Sequence, residues 1–188
     1  MNGGENPASP DRTPSDDELA IAARKDRRAF GLLYQRYVDR VYRYAFSRTA
    51  DAAVAEELTS TIFLHALDAL HRYNPQGTFA AWLFTIARRR CADHHRSSPP
   101  LPLIVEALPA FEGQPEDEKG RKDAFLQLEK ILSGLSHEEL NMLRLRYAAD
   151  LSHFEIGKII GKSEAATKMA MSRLIRRLRG LWEIDHES

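Results

Sequence analysis

The chain predicts an all-α protein: two small helical domains joined by a Pro-rich acidic linker. Three observations predict it. Apolar residues recur at spacings of three and four through both halves, with no alternating strand pattern. Capping boxes, each a serine followed three residues later by glutamate, open helices at Ser15, Ser136 and Ser152. The prolines that would break such helices gather in "SSPPLPLIVEALPAFEGQPEDEKGRKD", between the two helical halves.

The opening "MNGGENPASPDRTPS" is rich in Pro, Gly and Asn with hardly an apolar side chain, so residues 1–14 are expected to be a disordered tail. Residues 15–98 form the first domain. After the box at Ser15 and Glu18, Phe30, Leu33, Tyr34, Tyr37, Val41, Tyr42 and Ala45 mark a long core helix. A second helix runs from about Asp51 to Leu70, with Val54, Leu58, Ile62, Ala66 and Leu70 on one face and Phe63 off the stripe. A third begins at Thr78, carries Phe79, Trp82, Leu83, Ile86 and Ala87, and runs straight into "RRRCADHHR".

Residues 99–124 read as the linker, with 3 basic residues against 6 acidic ones. Leu101, Leu103, Ile104, Val105, Leu108 and Phe111 make it too apolar for a passive spacer, so it is expected to lie in a groove of a partner or of its own domains. Residues 125–184 form the second domain. A helix opened by Ser136 and Glu139 carries Leu140, Leu143, Leu145 and Tyr147 and braces a helix pair C-terminal to it. In that pair a short apolar helix (Phe154, Ile156, Ile159, Ile160), a break at Gly161 and a longer helix from Ser163 with small residues near its start make the pattern of a helix-turn-helix. In the last helix Ala170, Leu174, Leu178 and Leu181, widened by Met171, Ile175 and Trp182, face a core. Lys168, Ser172, Arg173, Arg176, Arg177 and Arg179 lie outside or at the edge of that stripe, and Glu164 is the only acid between Lys162 and Gly180. Such a basic helix suits a membrane surface, a partner groove or plain solvent as well as DNA. The capped helix before it favours DNA, because Ala165 and Ala166 let the N-terminus approach a groove and its free amides can meet a phosphate.

Net charge is zero, so bulk electrostatics select no partner. The single cysteine, Cys91, excludes an intramolecular disulfide and any Cys-rich zinc knuckle, and reads as a small helix residue. No apolar run has the length of a membrane span, so no membrane insertion is expected and the location expected is cytoplasmic. His94 and His95 point to different helix faces and make a poor metal pair. No nucleophile with its base, phosphate loop or ligand set appears, so neither an enzyme nor a cofactor is expected. Tyr73, Phe79, Trp82 and Phe84 precede Arg88, Arg89, Arg90 and Arg96. Rings that stack on exposed bases beside guanidinium groups that hold phosphates suit melted nucleic acid. The same residues also suit a plain core with a solvated basic face.

These segments together resemble the sigma-70 family of bacterial RNA polymerase sigma factors, in its small extracytoplasmic-function form. "AFGLLYQRYVDRVYRYA", "AEELTSTIFLHALDAL" and "FAAWLFTIARRRCADHHR" resemble the successive helices of region two, and "LSHEELNMLRLRYAADLSHFEIGKIIGKSEAATKMAMSRLIRRLR" resembles region four. The resemblance implies that Glu56, Glu57, Ser60, Phe63 and Leu64 dock on core RNA polymerase, with Phe63 as apolar anchor. It implies that Tyr73, Trp82 and the segment carrying Arg88, Arg89, Arg90, His94 and Arg96 capture the non-template strand of the minus-ten element, a flipped base being held in a pocket. Ser163, Glu164, Ala165, Lys168, Met169, Ser172 and Arg173 would enter the major groove of promoter DNA at the minus-thirty-five element, with Arg176 and Arg177 on phosphates. The linker would thread along polymerase near the RNA exit path. Ser60 and Thr61 stand where Gln and Glu are common in the family, and Ala170 where a basic residue is common. A free chain with such faces is expected to be held inactive, by an anti-sigma factor or by packing of its own two domains. A response-regulator-like factor would need an α/β half that the pattern lacks. A helical adaptor would make the basic and aromatic residues incidental.

Overall fold

A computed structural model of the chain describes residues 13–75, 78–96 and 118–186. The expected tail up to residue 12 and the linker over 97–117 lie outside the described residues.

The helices other than α5 start where a side chain satisfies a free amide of the first turn. Helix α1, Asp16–Ala22, opens on the Ser15–Glu18 box, in which the Glu18 N–H donates to Ser15 Oγ at 3.3 Å and the Ser15 N–H to Glu18 Oε2 at 2.7 Å. Helix α2, Arg27–Thr49, is capped by Asp26, and α3, Ala52–Ala69, by Asp51, whose Oδ1 accepts from Val54 N–H at 3.1 Å. Helix α4, Phe79–Arg96, has the Thr78 hydroxyl at its start, accepting from Ala81 N–H at 3.1 Å. In the second half α5, Glu118–Ser133, leads to α6, His137–Leu143, whose box at Ser136 and Glu139 forms as expected. A π-type turn, Arg144–Ala148, comes next. Helix α7, His153–Ile160, has the third box and ends at Gly161, which takes the left-handed φ of 72°. Helix α8, Glu164–His186, starts from Ser163, whose Oγ accepts from Ala166 N–H at 3.2 Å. No strand occurs among the described residues.

Three expectations change. Helix α5 begins at Glu118, inside the segment read as linker to residue 124. Acidic residues at a helix start are favoured by its dipole, and the first turns of α5 are polar, so composition alone reads them as linker. The separate cores merge: one continuous buried cluster runs from Leu19 through Tyr44 and Phe84 to Leu145, Ile156 and Leu178. Helix α7 packs on α4 and the π-type turn packs on α2. Leu181, placed in the apolar stripe, is 43% exposed, while Thr167 is fully buried in that helix instead.

The junction is polar as well as apolar. Arg40 of α2 donates through Nε to the Ala149 carbonyl at 2.8 Å and through Nη2 to that of Asp150 at 2.7 Å. The Tyr44 hydroxyl donates to Asn141 Oδ1 at 2.9 Å, and Arg144 Nε donates to the Ser47 carbonyl at 3.0 Å. Burial, with the neighbouring cation Arg48, pushes the pKa of the Arg144 guanidinium down to about 10.

Candidate nucleic-acid interface

The helix-turn-helix is held by a close approach. A Cβ on Gly157 would lie 2.6 Å from the Lys162 carbonyl oxygen and 3.1 Å from Thr167 Oγ1, so α7 meets the start of α8 where only glycine fits. Thr167, Met171, Leu174 and Leu178 are buried and fix the rotation of α8. That rotation leaves Ser163, Glu164, Ala165, Lys168, Met169, Ser172, Arg173, Arg176 and Arg177 exposed on one side, Met169 at 63%. The residues that the sequence assigns to one face of α8 are therefore exposed together. Arg177 is tethered, its Nη2 lying 2.7 Å from Glu139 Oε1. The Ser136 backbone N–H first, and Arg177 second, hold the Glu139 carboxyl below its usual range. Across the domain junction, Arg88 of α4 joins Lys162, Arg173 and Arg177 around an open cleft of about 650 Å³ floored by Met142 and Leu174. Sequence spacing carries no signal for that meeting, because the two helices are some eighty residues apart.

On α4, Arg88 and Arg89 are exposed and Trp82 is half-buried. Arg90 lies 3.8 Å from Asp93, and its Nε is buried without a hydrogen-bond partner. His94 is half-buried, and the side chain of Arg96 lies outside the described residues. Tyr73 is corrected from base-stacking candidate to core residue: it is 3% exposed, its hydroxyl donates to Asp17, and its ring packs edge-on against Phe79 and Trp82. Phe79 and Phe84 are fully buried. Cys91 is buried too, which pushes its thiol up to about 11 and leaves it unreactive at neutral pH.

On α3, Glu56, Glu57 and Ser60 are exposed and Leu64 is 64% exposed. Phe63 is not presented to a partner. It is 4% exposed and lies beneath α2, its ring 4.7 Å from Tyr34 and 6.3 Å from Phe30. Tyr34, expected in the core stripe of α2, is instead 43% exposed and covers it. The exposed apolar surface on this side is thus Leu64 with Tyr34, and the packing of α2 on α3 exchanges the roles that spacing assigns. Among the described residues no cluster of ligating side chains could hold a metal ion, and no helix is long and apolar enough to cross a membrane.

Comparison with known proteins agrees with this layout. Residues 33–98 match the family model "Sigma-70 region 2" and residues 131–180 match "Sigma-70, region 4". The ECF RNA polymerase sigma factor BldN of Streptomyces coelicolor is 38% identical over 173 residues, 89% of this chain and 65% of that protein, so the chain spans just under two thirds of its length. The ECF RNA polymerase sigma factor ShbA of Streptomyces griseus is 32% identical over 137 residues, 68% of this chain and 71% of that one. Among solved structures, that of CnrH in complex with the cytosolic domain of CnrY shares the fold, with a TM-score of 0.63 at 21% identity, covering 92% of this chain and 99% of that one. With both regions matched in order along the chain, it belongs to the sigma-70 family of RNA polymerase sigma factors, in its extracytoplasmic-function group.

Proposed function

We propose that the chain binds core RNA polymerase through α3, with Leu64 and Tyr34 as the apolar centre and Glu56, Glu57 and Ser60 as the polar rim, and directs initiation at promoters read by α4 and α8. The observation that supports this most is one chain carrying two basic edges: the exposed α8 face from Ser163 to Arg177, and the half-buried Trp82 beside exposed Arg88 and Arg89 on α4. Residues 15–98 serve the clamp and the minus-ten element, and the module from α5 onward serves the minus-thirty-five element. Strand separation needs no catalytic residue, because a base stacked on Trp82 and phosphates held by arginines trap the open strand. The protein acts in the cytoplasm, and an anti-sigma factor is its candidate regulator.

Run-off transcription with core polymerase on a promoter library tests the reading, and salt-sensitive, promoter-dependent transcripts are the expected result. No binding to core, and no such transcripts, overturns it. Within that assay Leu64→Asp is expected to weaken core binding roughly 30-fold, the effect of losing an interface anchor worth about 2 kcal/mol. It should leave thermal stability unchanged, since the side chain is largely solvated. Phe63→Ala should do the reverse in kind, lowering stability by about 3–5 kcal/mol as a core truncation. If Phe63→Ala instead left stability intact and abolished core binding, the assignment of anchor and core residue would be exchanged.

A further inference from the structure

Helix α1 precedes the matched family segment, which starts at residue 33, yet it reaches into the aromatic cluster under Trp82. Asp17 Oδ1 accepts two hydrogen bonds at once, from the Tyr73 hydroxyl and from the Phe79 N–H at 3.2 Å. The second donor is the first amide of α4, so the carboxylate lies against the positive end of an 18-residue helix. Tyr73 in turn packs edge-on to Trp82, with ring centroids 5.2 Å apart at 65°, and Phe79 lies 5.6 Å from the same indole. Arg24, just past α1, donates to the Tyr73 carbonyl. The neighbouring acid, Asp16, is committed elsewhere: it accepts from the Tyr37 hydroxyl and pairs with Arg36. Two adjacent carboxylates on one short helix therefore have separate tasks, and only that of Asp17 leads to the indole.

We infer that Asp17 is a positioning residue for minus-ten capture, holding Tyr73 and the start of α4 so that Trp82 presents its open face to a base. This rests on the reading of Trp82 as the stacking platform. Burial and the hydrogen bond to Asp17 both raise the pKa of the Tyr73 phenol far above its ordinary value, so the donor stays protonated at neutral pH. Without the carboxylate the phenol must find water or rotate, and the Tyr73 ring is one of the two walls that set the tilt of the indole. A small error in that tilt matters because stacking requires near-parallel planes at contact distance.

The test uses reconstituted holoenzyme. Affinity for a single-stranded minus-ten oligonucleotide carrying a fluorescent adenine analogue is compared with affinity for minus-thirty-five duplex and for core polymerase. Asp17→Asn is expected to weaken single-strand capture roughly tenfold, the loss of one charge-assisted hydrogen bond, with the other two affinities unchanged. Tyr73→Phe should weaken capture alike, and the double variant should be no worse than either single one. Asp16→Asn, which breaks the parallel contact to Tyr37, should lower thermal stability without touching capture. Trp82→Ala separates the two claims. If it leaves capture intact, the platform reading fails; if it weakens capture while Asp17→Asn does not, only the positioning role is overturned. A parallel loss of core affinity in Asp17→Asn would likewise overturn it, as a merely structural effect.

Discussion

Gly157→Ala should destabilise the helix-turn-helix by about 1 kcal/mol and lower the unfolding midpoint by a few degrees. Two effects of opposite sign decide the size. Alanine is the better helix former, by about 1 kcal/mol in a helix interior. Against that, its Cβ would sit 2.6 Å from a backbone oxygen, that of Lys162, which cannot swing aside as a side-chain tip would. Overpacking of that kind costs about 1–3 kcal/mol, and here it moves the turn itself. The displaced turn carries Ser163 and the first residues of the recognition face, so affinity for minus-thirty-five duplex should fall with stability. Removing the other crowded atom by Thr167→Ala should restore little, because Thr167 Oγ1 is the more distant contact at 3.1 Å and also donates to the Ser163 carbonyl at 2.9 Å. Thermal unfolding and hydrogen exchange across α7 and α8 read the result. A midpoint equal to that of the parent would mean that the two helices approach less closely than described.

Gly161 and Gly157 show where the sequence was legible and where it was not. The break at Gly161 is written locally, by a glycine after an apolar run, and its left-handed backbone accords with that. The capping boxes are equally local, and all three form. Gly157 sits inside a helix pattern, and nothing in spacing says which backbone crosses it. Phe63 and Tyr34 fail for the same reason. Periodicity gives the direction of a side chain on its own helix, while burial depends on the helix that lies over it, and α2 crosses α3 so that Phe63 is covered and Tyr34 is the cover. Tyr73 comes after a 3₁₀ turn, Leu70–Arg72, outside any helical period, and it is buried between α1 and the start of α4. The face of α8 was legible because its buried and exposed sides differ sharply in residue type.

Releasing the junction between the two halves should convert the free protein from a compact to an extended particle and raise its activity when it is limiting. The proposed reading of two promoter elements by one chain requires such a release. The two promoter elements are about 80 Å apart along B-form DNA at 3.4 Å per base pair. A compact chain of 188 residues has a radius of gyration near 16 Å, hence a diameter of about 40 Å, so the packed form cannot touch both. Favourable contacts hold the two halves together: Arg40 on the carbonyls of Ala149 and Asp150, and Tyr44 on Asn141. One contact is compromised. Arg144 is buried beside Arg48, and its lowered affinity for its proton means that closure works against the charged form it carries at neutral pH. Arg40→Ala combined with Tyr44→Phe removes favourable terms while leaving the unfavourable one, and the loss of two charge-assisted bonds of about 1.5–3 kcal/mol each shifts the equilibrium toward the open form. Small-angle scattering should show a larger radius of gyration than the parent. Cys91, buried near Arg48 and Arg144, should react faster with a thiol reagent in the variant. Core binding should also be faster. An extended parent at all salt concentrations, or a variant as compact and as protected at Cys91 as the parent, would show that the junction does not hold the free chain closed, leaving an anti-sigma factor as the remaining means of restraint.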